Sequence, residues 1–342
     1  MKKRIDRQSR TSIKKEVIDM GAVVQCVPNF SEGRDHEKIE AIVDPLKQQK
    51  GFTLVSYEPD KDYNRTVVTL IGDPEAMKTP LFNFVKRAKE LIDMNGHEGE
   101  HPRMGAVDVM PFIPIDNIEM DDCVDIAHEM GQRIAEELSI PVFTYGEAAQ
   151  SKNRKRLPTI RKGEFEGMKT KIEEPEWHPD YGAPSIHPSA GAMAVGARLP
   201  LIAYNIDLDT DDMDAAKRIA RAIRGSSGGF RHIQAGPVFL EERGHVQVTM
   251  NILNYKKNPI YRVLETVKME ARRFGVDVPS SEIVGLIPED AIRRSLKYYT
   301  DIAGKSLDKD LSYDKLAKEA ERWIGFRDFN SEKIIEAHVE EA

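Results

Sequence analysis

One succession of elements occurs twice in this chain, and it limits the fold more than any other feature. Residues 23–27 read as a strand ended by Pro28. A helix follows from an Asp35 cap, with Ile39, Ile42, Val43 and Leu46 at helical spacing, Pro45 in its last turn and Gly51 closing it. Strands over 52–57 and 66–71 flank the charged loop from Glu58 to Asn64. A second helix over 75–94 carries Leu81, Val85, Ala88 and Ile92 on one stripe, and a strand starts at Ala106. This order is βαββαβ over roughly ninety residues, the split βαβ or ferredoxin-like arrangement, in which two helices cover one face of an antiparallel four-stranded sheet.

The pattern restarts with a strand over 201–207 and a helix over 212–224 whose Ala216, Ile219, Ala220 and Ile223 point inward. Strands over 232–240 and 246–253 are joined by a short turn ending in Gly244. A helix over 259–274 begins at Pro259 and stops at Gly275, and a strand over 283–287 completes the second unit. Between the units lie a helix over 121–138, a short strand over 141–145 and a polar, Lys-, Glu- and Pro-rich stretch over 151–190 that reads as a linker. The expected class is therefore α+β, two ferredoxin-like subdomains with a ligand groove between them. The expected divisions are an N-terminal extension over 1–20, a first subdomain with its linker over 21–190, a second over 191–300 and a helical tail over 301–342.

A net charge of -7, with 31% charged and 40% hydrophobic residues, describes a soluble globular protein and argues against general binding to nucleic acid or anionic membranes. No apolar run approaches bilayer-spanning length. Tandem RNA-recognition modules share the βαββαβ layout but place aromatics on a central strand, and residues 65–71 contain none. The two cysteines, Cys26 and Cys123, lack metal spacing and read as reduced thiols of a cytosolic protein. The first twenty residues are basic without an apolar core, which is not a secretory signal; Met20 is an alternative start.

Chemistry concentrates between Asn95 and Asp108, where two imidazoles, several acids, Arg103 and three glycines crowd together. His97 to His101 matches the letters H-E-x-x-H, but Gly96 and Gly99 weaken a helix and Pro102 pushes His101 out of helical geometry, so a zinc helix is rejected. The other histidines show no metal spacing, and no metal is expected. The loop over 225–229 follows a helix and lacks the Lys-Ser/Thr ending of a phosphate loop. On residues alone, the histidine loop reads equally as a pocket edge or as a surface turn.

Five motifs decide between these readings: Cys26-Val27-Pro28-Asn29-Phe30-Ser31-Glu32-Gly33, Asn64-Arg65-Thr66-Val67, Gly99-Glu100-His101-Pro102-Arg103-Met104-Gly105-Ala106-Val107-Asp108, Tyr145-Gly146-Glu147-Ala148-Ala149, and Gly196-Ala197-Arg198 before Leu201-Ile202-Ala203-Tyr204. Together they resemble the glutamate formimidoyltransferase family, whose domain also forms part of formiminotransferase-cyclodeaminase. The resemblance covers about residues 22–300. It implies a cytosolic homodimer that moves the formimino group of N-formimino-L-glutamate to N5 of the co-substrate tetrahydrofolate, with the cyclodeaminase half absent and a separate cyclodeaminase acting downstream. It makes His101 the catalytic histidine and puts Glu58 where the family has an Asp that works with it. It also marks Gly182, Ala183, Pro184, Ser185, Ile186, His187, Pro188, Ser189, Ala190 and Gly191 as the folate-contacting segment, with departures from the family pattern at His187 and Ala190. Arg65, Arg103 and Arg198 are the guanidinium candidates for substrate carboxylates. A formyl group moved between glutamate and folate is the alternative that these residues leave open.

Overall fold

The computed structural model describes residues 21–241 and 243–339. The basic stretch over 1–20 lies outside them. The first unit runs β1 (Val23–Cys26), β2 (Asn29–Phe30), α1 (His36–Val43), β3 (Phe52–Asp60), β4 (Arg65–Gly72), α2 (Pro74–Leu91) and β5 (Val107–Asp116). The Asp35 carboxylate accepts from the amides of Glu37 and Lys38, which starts α1 where the sequence places it. That helix is shorter than expected: Pro45 turns its end into a 3-10 turn over Asp44–Leu46. Pro28 does not end the first strand's lane. Its carbonyl accepts from Val68, and the chain resumes as β2 beside the same two neighbours.

Three further helices and two strands extend this unit: α3 (Met120–Leu138), β6 (Val142–Gly146), α4 (Leu157–Arg161), α5 (Glu164–Lys171) and β7 (Met193–Ala197). The resulting seven-stranded sheet runs β3, β4, β1 with β2, β5, β7, β6. Pairings are antiparallel as far as β5 and parallel from β5 through β7 to β6. Two sequence expectations change here. Residues 151–190 are not a bare linker, because Ile160, Met168 and Ile172 bury against Val109, Phe143 and Ala194 of the sheet. The stretch Met193–Ala197, fully buried, is a strand of the first sheet and lies beyond residue 190, where the sequence puts the boundary.

The second unit is β8 (Ile202–Leu208), α6 (Met213–Ile223), β9 (Ile233–Leu240), β10 (His245–Ile252), α7 (Ile260–Arg272) and β11 (Ser281–Val284). Its four strands run β11, β8, β10, β9, all antiparallel. Helices α8 (Glu289–Ile302) and α9 (Tyr313–Ile324) bury Ile292, Leu296, Leu316 and Ala320 in the same core. Within the tail expected to be helical over 301–342, the stretch after α9 forms two 3-10 turns, Ser331–Lys333 and Ile335–His338.

Strand alternation divides the first sheet cleanly. Val68 and Leu70 of β4 pack with Cys26 and Phe112 against the helices. Arg65, Val67, Thr69 and Ile71 therefore occupy the opposite face. That face is covered at one end by α4 and α5 and at the other by Ile335, which packs on Val23 and Ile71 together with Leu286 and Val339. The site lies between these covers.

Candidate functional site

Three loops converge at one end of the open face, and Asn64 ties them together. Its backbone is left-handed (φ 47°), a conformation Asn tolerates better than most residues. The side-chain Oδ1 accepts from the Gly33 amide at 3.0 Å, and Nδ2 donates to the Glu98 carbonyl at 2.9 Å. The main-chain carbonyl receives His97 Nε2 at 2.9 Å. Close approach requires glycine on both sides: a Cβ on Gly33 would sit 2.1 Å from the Asp60 carbonyl oxygen, and one on Gly99 2.4 Å from that of Tyr63.

His97 is consumed by this scaffold. Arg103 Nε donates to His97 Nδ1 at 3.1 Å, and a guanidinium can only donate, so Nδ1 is unprotonated and Nε2 carries the hydrogen given to Asn64. Burial first, and the Arg103 charge further, hold this imidazole below its ordinary pKa. Residues 97–101 are non-helical, as Gly96, Gly99 and Pro102 require.

His101 is partly buried beside the ring of Tyr63, with centroids 5.9 Å apart. Its pKa is pushed down to about 3, by burial above all and then by the charges of Arg65, Arg161 and Arg103, with Asp60 pulling the other way. The imidazole is thus neutral and surrounded by cations. Arg65 begins β4 opposite Asp60, and its guanidinium lies over the Tyr63 ring at 5.4 Å. Its Nε is buried without a hydrogen-bond partner, and burial followed by the neighbouring Arg161 disfavours its charge. Arg161, the last residue of α4, pairs through Nη2 with the buried Asp108 carboxylate, and its Nε is also unpartnered. Asp108 sits at a bulge where β5 passes β2, with Oδ1 accepting the Met104 amide at 2.9 Å.

The remaining sequence candidates separate. Arg103 is a brace: it is buried, its two terminal nitrogens bond to Glu164, Glu166 and the His97 carbonyl at 2.8–3.0 Å, and its Nε is taken by His97. No donor is left for a substrate carboxylate. Arg198 follows β7 and donates to the Leu199 carbonyl at 3.1 Å, with the buried Tyr145 hydroxyl as a further partner. Glu58 lies in β3, not in the loop where the sequence puts it. It is exposed opposite Val67, takes the Ser56 hydroxyl at 3.3 Å, and lines a 640 Å³ cavity shared with Leu286, Lys333 and His338. Asp60, at the end of β3, is a carboxylate whose charge favours the protonated His101 imidazole. In the segment over 182–191, Gly182, Ala183, Pro184, Ser185 and Pro188 are exposed, and Ile186 and His187 are half-buried. Ser189, Ala190 and Gly191 bond to Met94, Ala106 and His187, directly behind the histidine loop.

Sequence reasoning missed Arg161 and Asp108 as partners and Asn64 as a hub. The motif residues Asn64 and Asp108 were visible, but Arg161 lay in a stretch without periodicity. Among the described residues, no cluster of three or more His, Cys, Asp or Glu side chains is placed to hold a metal.

A neutral imidazole with the charges of three guanidinium groups around it is the kind of site in which an enzyme can transfer a proton beside an anionic ligand. Residues 23–198 match the N-terminal subdomain of the formiminotransferase domain, and residues 203–340 match the formiminotransferase domain. The chain belongs to this family. It is 47% identical over 296 residues to a glutamate formimidoyltransferase of Streptococcus pyogenes serotype M1, spanning 86% of this chain and 97% of that one. The glutamate formimidoyltransferase of Thermoplasma acidophilum is 45% identical over 83% of this chain and 94% of its own. A formimidoyltransferase-cyclodeaminase of Gallus gallus is 44% identical over 82% of this chain, which spans 53% of that protein.

Proposed function

We propose that this chain transfers the formimino group of N-formimino-L-glutamate to N5 of tetrahydrofolate and releases glutamate. The observation that carries the reading is His101, an imidazole kept neutral by burial and by Arg65, Arg161 and Arg103, inside a chain matched over both halves by glutamate formimidoyltransferases. The reaction forms a bond from N5 to the amidine carbon and breaks the bond from that carbon to the glutamate nitrogen. One proton leaves N5 and one reaches the departing amine. A neutral imidazole accepts the first and returns it as the second. Tyr63, packed against the ring, limits where the imidazole turns.

His101 is the catalytic residue in this reading. Its carboxylate partner is Asp60 in preference to Glu58, because Asp60 acts on the imidazole's charge while Glu58 faces the cavity beside the C-terminal turns. Arg65 and Arg198 take substrate carboxylates, and Arg103 holds the loop in shape. The segment over 182–191 contributes its exposed residues to tetrahydrofolate. Each half is read as ferredoxin-like, a view supported by the two strand orders β3, β4, β1, β5 and β9, β10, β8, β11, which place the first strand of each unit between its third and fourth. We further assign the protein to the cytoplasm, as a homodimer whose product, 5-formiminotetrahydrofolate, is passed to a cyclodeaminase.

The test is single-turnover mixing with tetrahydrofolate and N-formimino-L-glutamate, followed through the folate spectrum, with His101→Ala alongside. Formation of 5-formiminotetrahydrofolate that disappears in the variant supports the assignment. Transfer from an N-formyl donor in preference to the formimino donor overturns it.

A further inference from the structure

The two guanidiniums beside His101 differ from every braced arginine nearby. Arg103 has all its nitrogens committed to protein acceptors, and Arg154 bonds Asp180 at 2.5 Å and the carbonyl of Glu176 at 3.1 Å. Arg65 instead makes no side-chain hydrogen bond or ion pair among the described residues and Arg161 only the one to Asp108, and Arg161 stands close enough to disfavour the charge of Arg65; the Nε of each is buried without an acceptor, as is that of Arg154. Asp108 pairs with Arg161 on one side only, and its other oxygen is held by the Met104 amide. Arg161 takes the Asp108 carboxylate, and Arg65 feels the charges of Asp60 and Asp108 without a direct ion pair to either. An anion is missing from this arrangement.

The position of the gap says which anion fits. It adjoins His101, where the amidine carbon must react. In N-formimino-L-glutamate the α-carboxylate is separated from the reacting nitrogen by a single carbon. In tetrahydrofolate the glutamate carboxylates lie beyond the aromatic ring of the aminobenzoyl group, far from N5. We propose that Arg65 and Arg161 form the seat for the donor's α-carboxylate, with Asp108 fixing the orientation of Arg161. This rests on formimino transfer at His101 and assigns Arg161, at the end of α4, as a specificity-determining residue. The carboxylate also relieves the crowding of positive charge around the imidazole, so a seated donor makes His101 a stronger proton acceptor than it is in the empty site. Donors without the α-carboxylate lose both the anchor and this activation.

The experiment measures calorimetric binding of N-formimino-L-glutamate, and of the 4-aminobutyrate analogue that lacks only the α-carboxylate, in the absence of tetrahydrofolate. Wild type is expected to bind the glutamate donor at least about tenfold more tightly. Arg161→Gln and Arg65→Gln should weaken the glutamate donor to the level of the analogue and leave the analogue itself unchanged. Arg161→Lys, which keeps the charge opposite Asp108, guards against misfolding and should retain only part of the preference. Arg161→Gln or Arg65→Gln keeping the wild-type preference between the donors overturns the seat, as does equal binding of both donors by wild type. Turnover by wild type tests formimino transfer separately, so either idea can fail alone.

Discussion

Replacing Asn64 by alanine separates the scaffold of the site from its chemistry. The change deletes the bond from Gly33 to Oδ1 and the bond from Nδ2 to the Glu98 carbonyl, at 3.0 and 2.9 Å. Each such bond contributes about 1 kcal/mol, and a buried amide left without an acceptor costs about 1 kcal/mol more. Alanine must also hold the left-handed backbone (φ 47°), at a further ~1 kcal/mol. The total is about 3–4 kcal/mol, placed where the loops of Gly33, Tyr63 and His97 to His101 meet. If all of it appeared as lost positioning of His101, the rate would fall by roughly two to three orders of magnitude. As stability it would lower Tm by about 6–15 °C. Asn64→Gly removes the same bonds without the backbone strain and should be milder by ~1 kcal/mol. Initial rates of formimino transfer and thermal unfolding of the three proteins, followed by circular dichroism, supply the comparison. Wild-type kcat together with wild-type Tm in Asn64→Ala would refute the hub, and so would a glycine variant worse than the alanine one.

Two further outcomes follow from the site's electrostatics. With His101 pushed down to about 3 in the empty site, its base form persists through pH 5, so kcat/KM should show no acid limb near the ordinary imidazole value of about 6.5. A carboxylate seated ~6 Å away contributes about 3 kcal/mol at an effective dielectric of ~20, about two pKa units, which places the acid limb of kcat above that of kcat/KM; pH profiles of the two parameters in the reverse order would contradict this. Arg103→Met breaks the bonds to Glu164, Glu166 and His97 and should cost about 2–3 kcal/mol, discounted because both carboxylates are substantially exposed. Denaturant unfolding should register that loss, while a raised donor KM without lost stability would make Arg103 a ligand instead of a brace.

Much of the architecture follows from the amino-acid order alone, because periodicity, caps and turns act over a few residues. The doubled βαββαβ order, the Asp35 cap, the helix begun at Asp212 and the start of α7 at Pro259 are all local matters, and the structure has them where the pattern puts them. So is the non-helical histidine loop, since Gly99 and Pro102 act on their own neighbours. Partner choice is different. Whether Arg103 meets a substrate or Glu166, and whether Arg161 meets solvent or Asp108, depends on side chains 63 and 53 residues apart. The parallel pairing of β5 with β7 likewise joins strands separated by α3, α4 and α5, and no local rule chooses that neighbour. The polar stretch over 151–190 carries too few apolar residues to show a period, yet Ile160, Met168 and Ile172 suffice once a sheet face is present to bury them. The residue types and the candidate histidine were determined by the sequence. How each arginine around that histidine is paired was decided by tertiary packing, because charge neutralisation depends on distance in space and not along the chain.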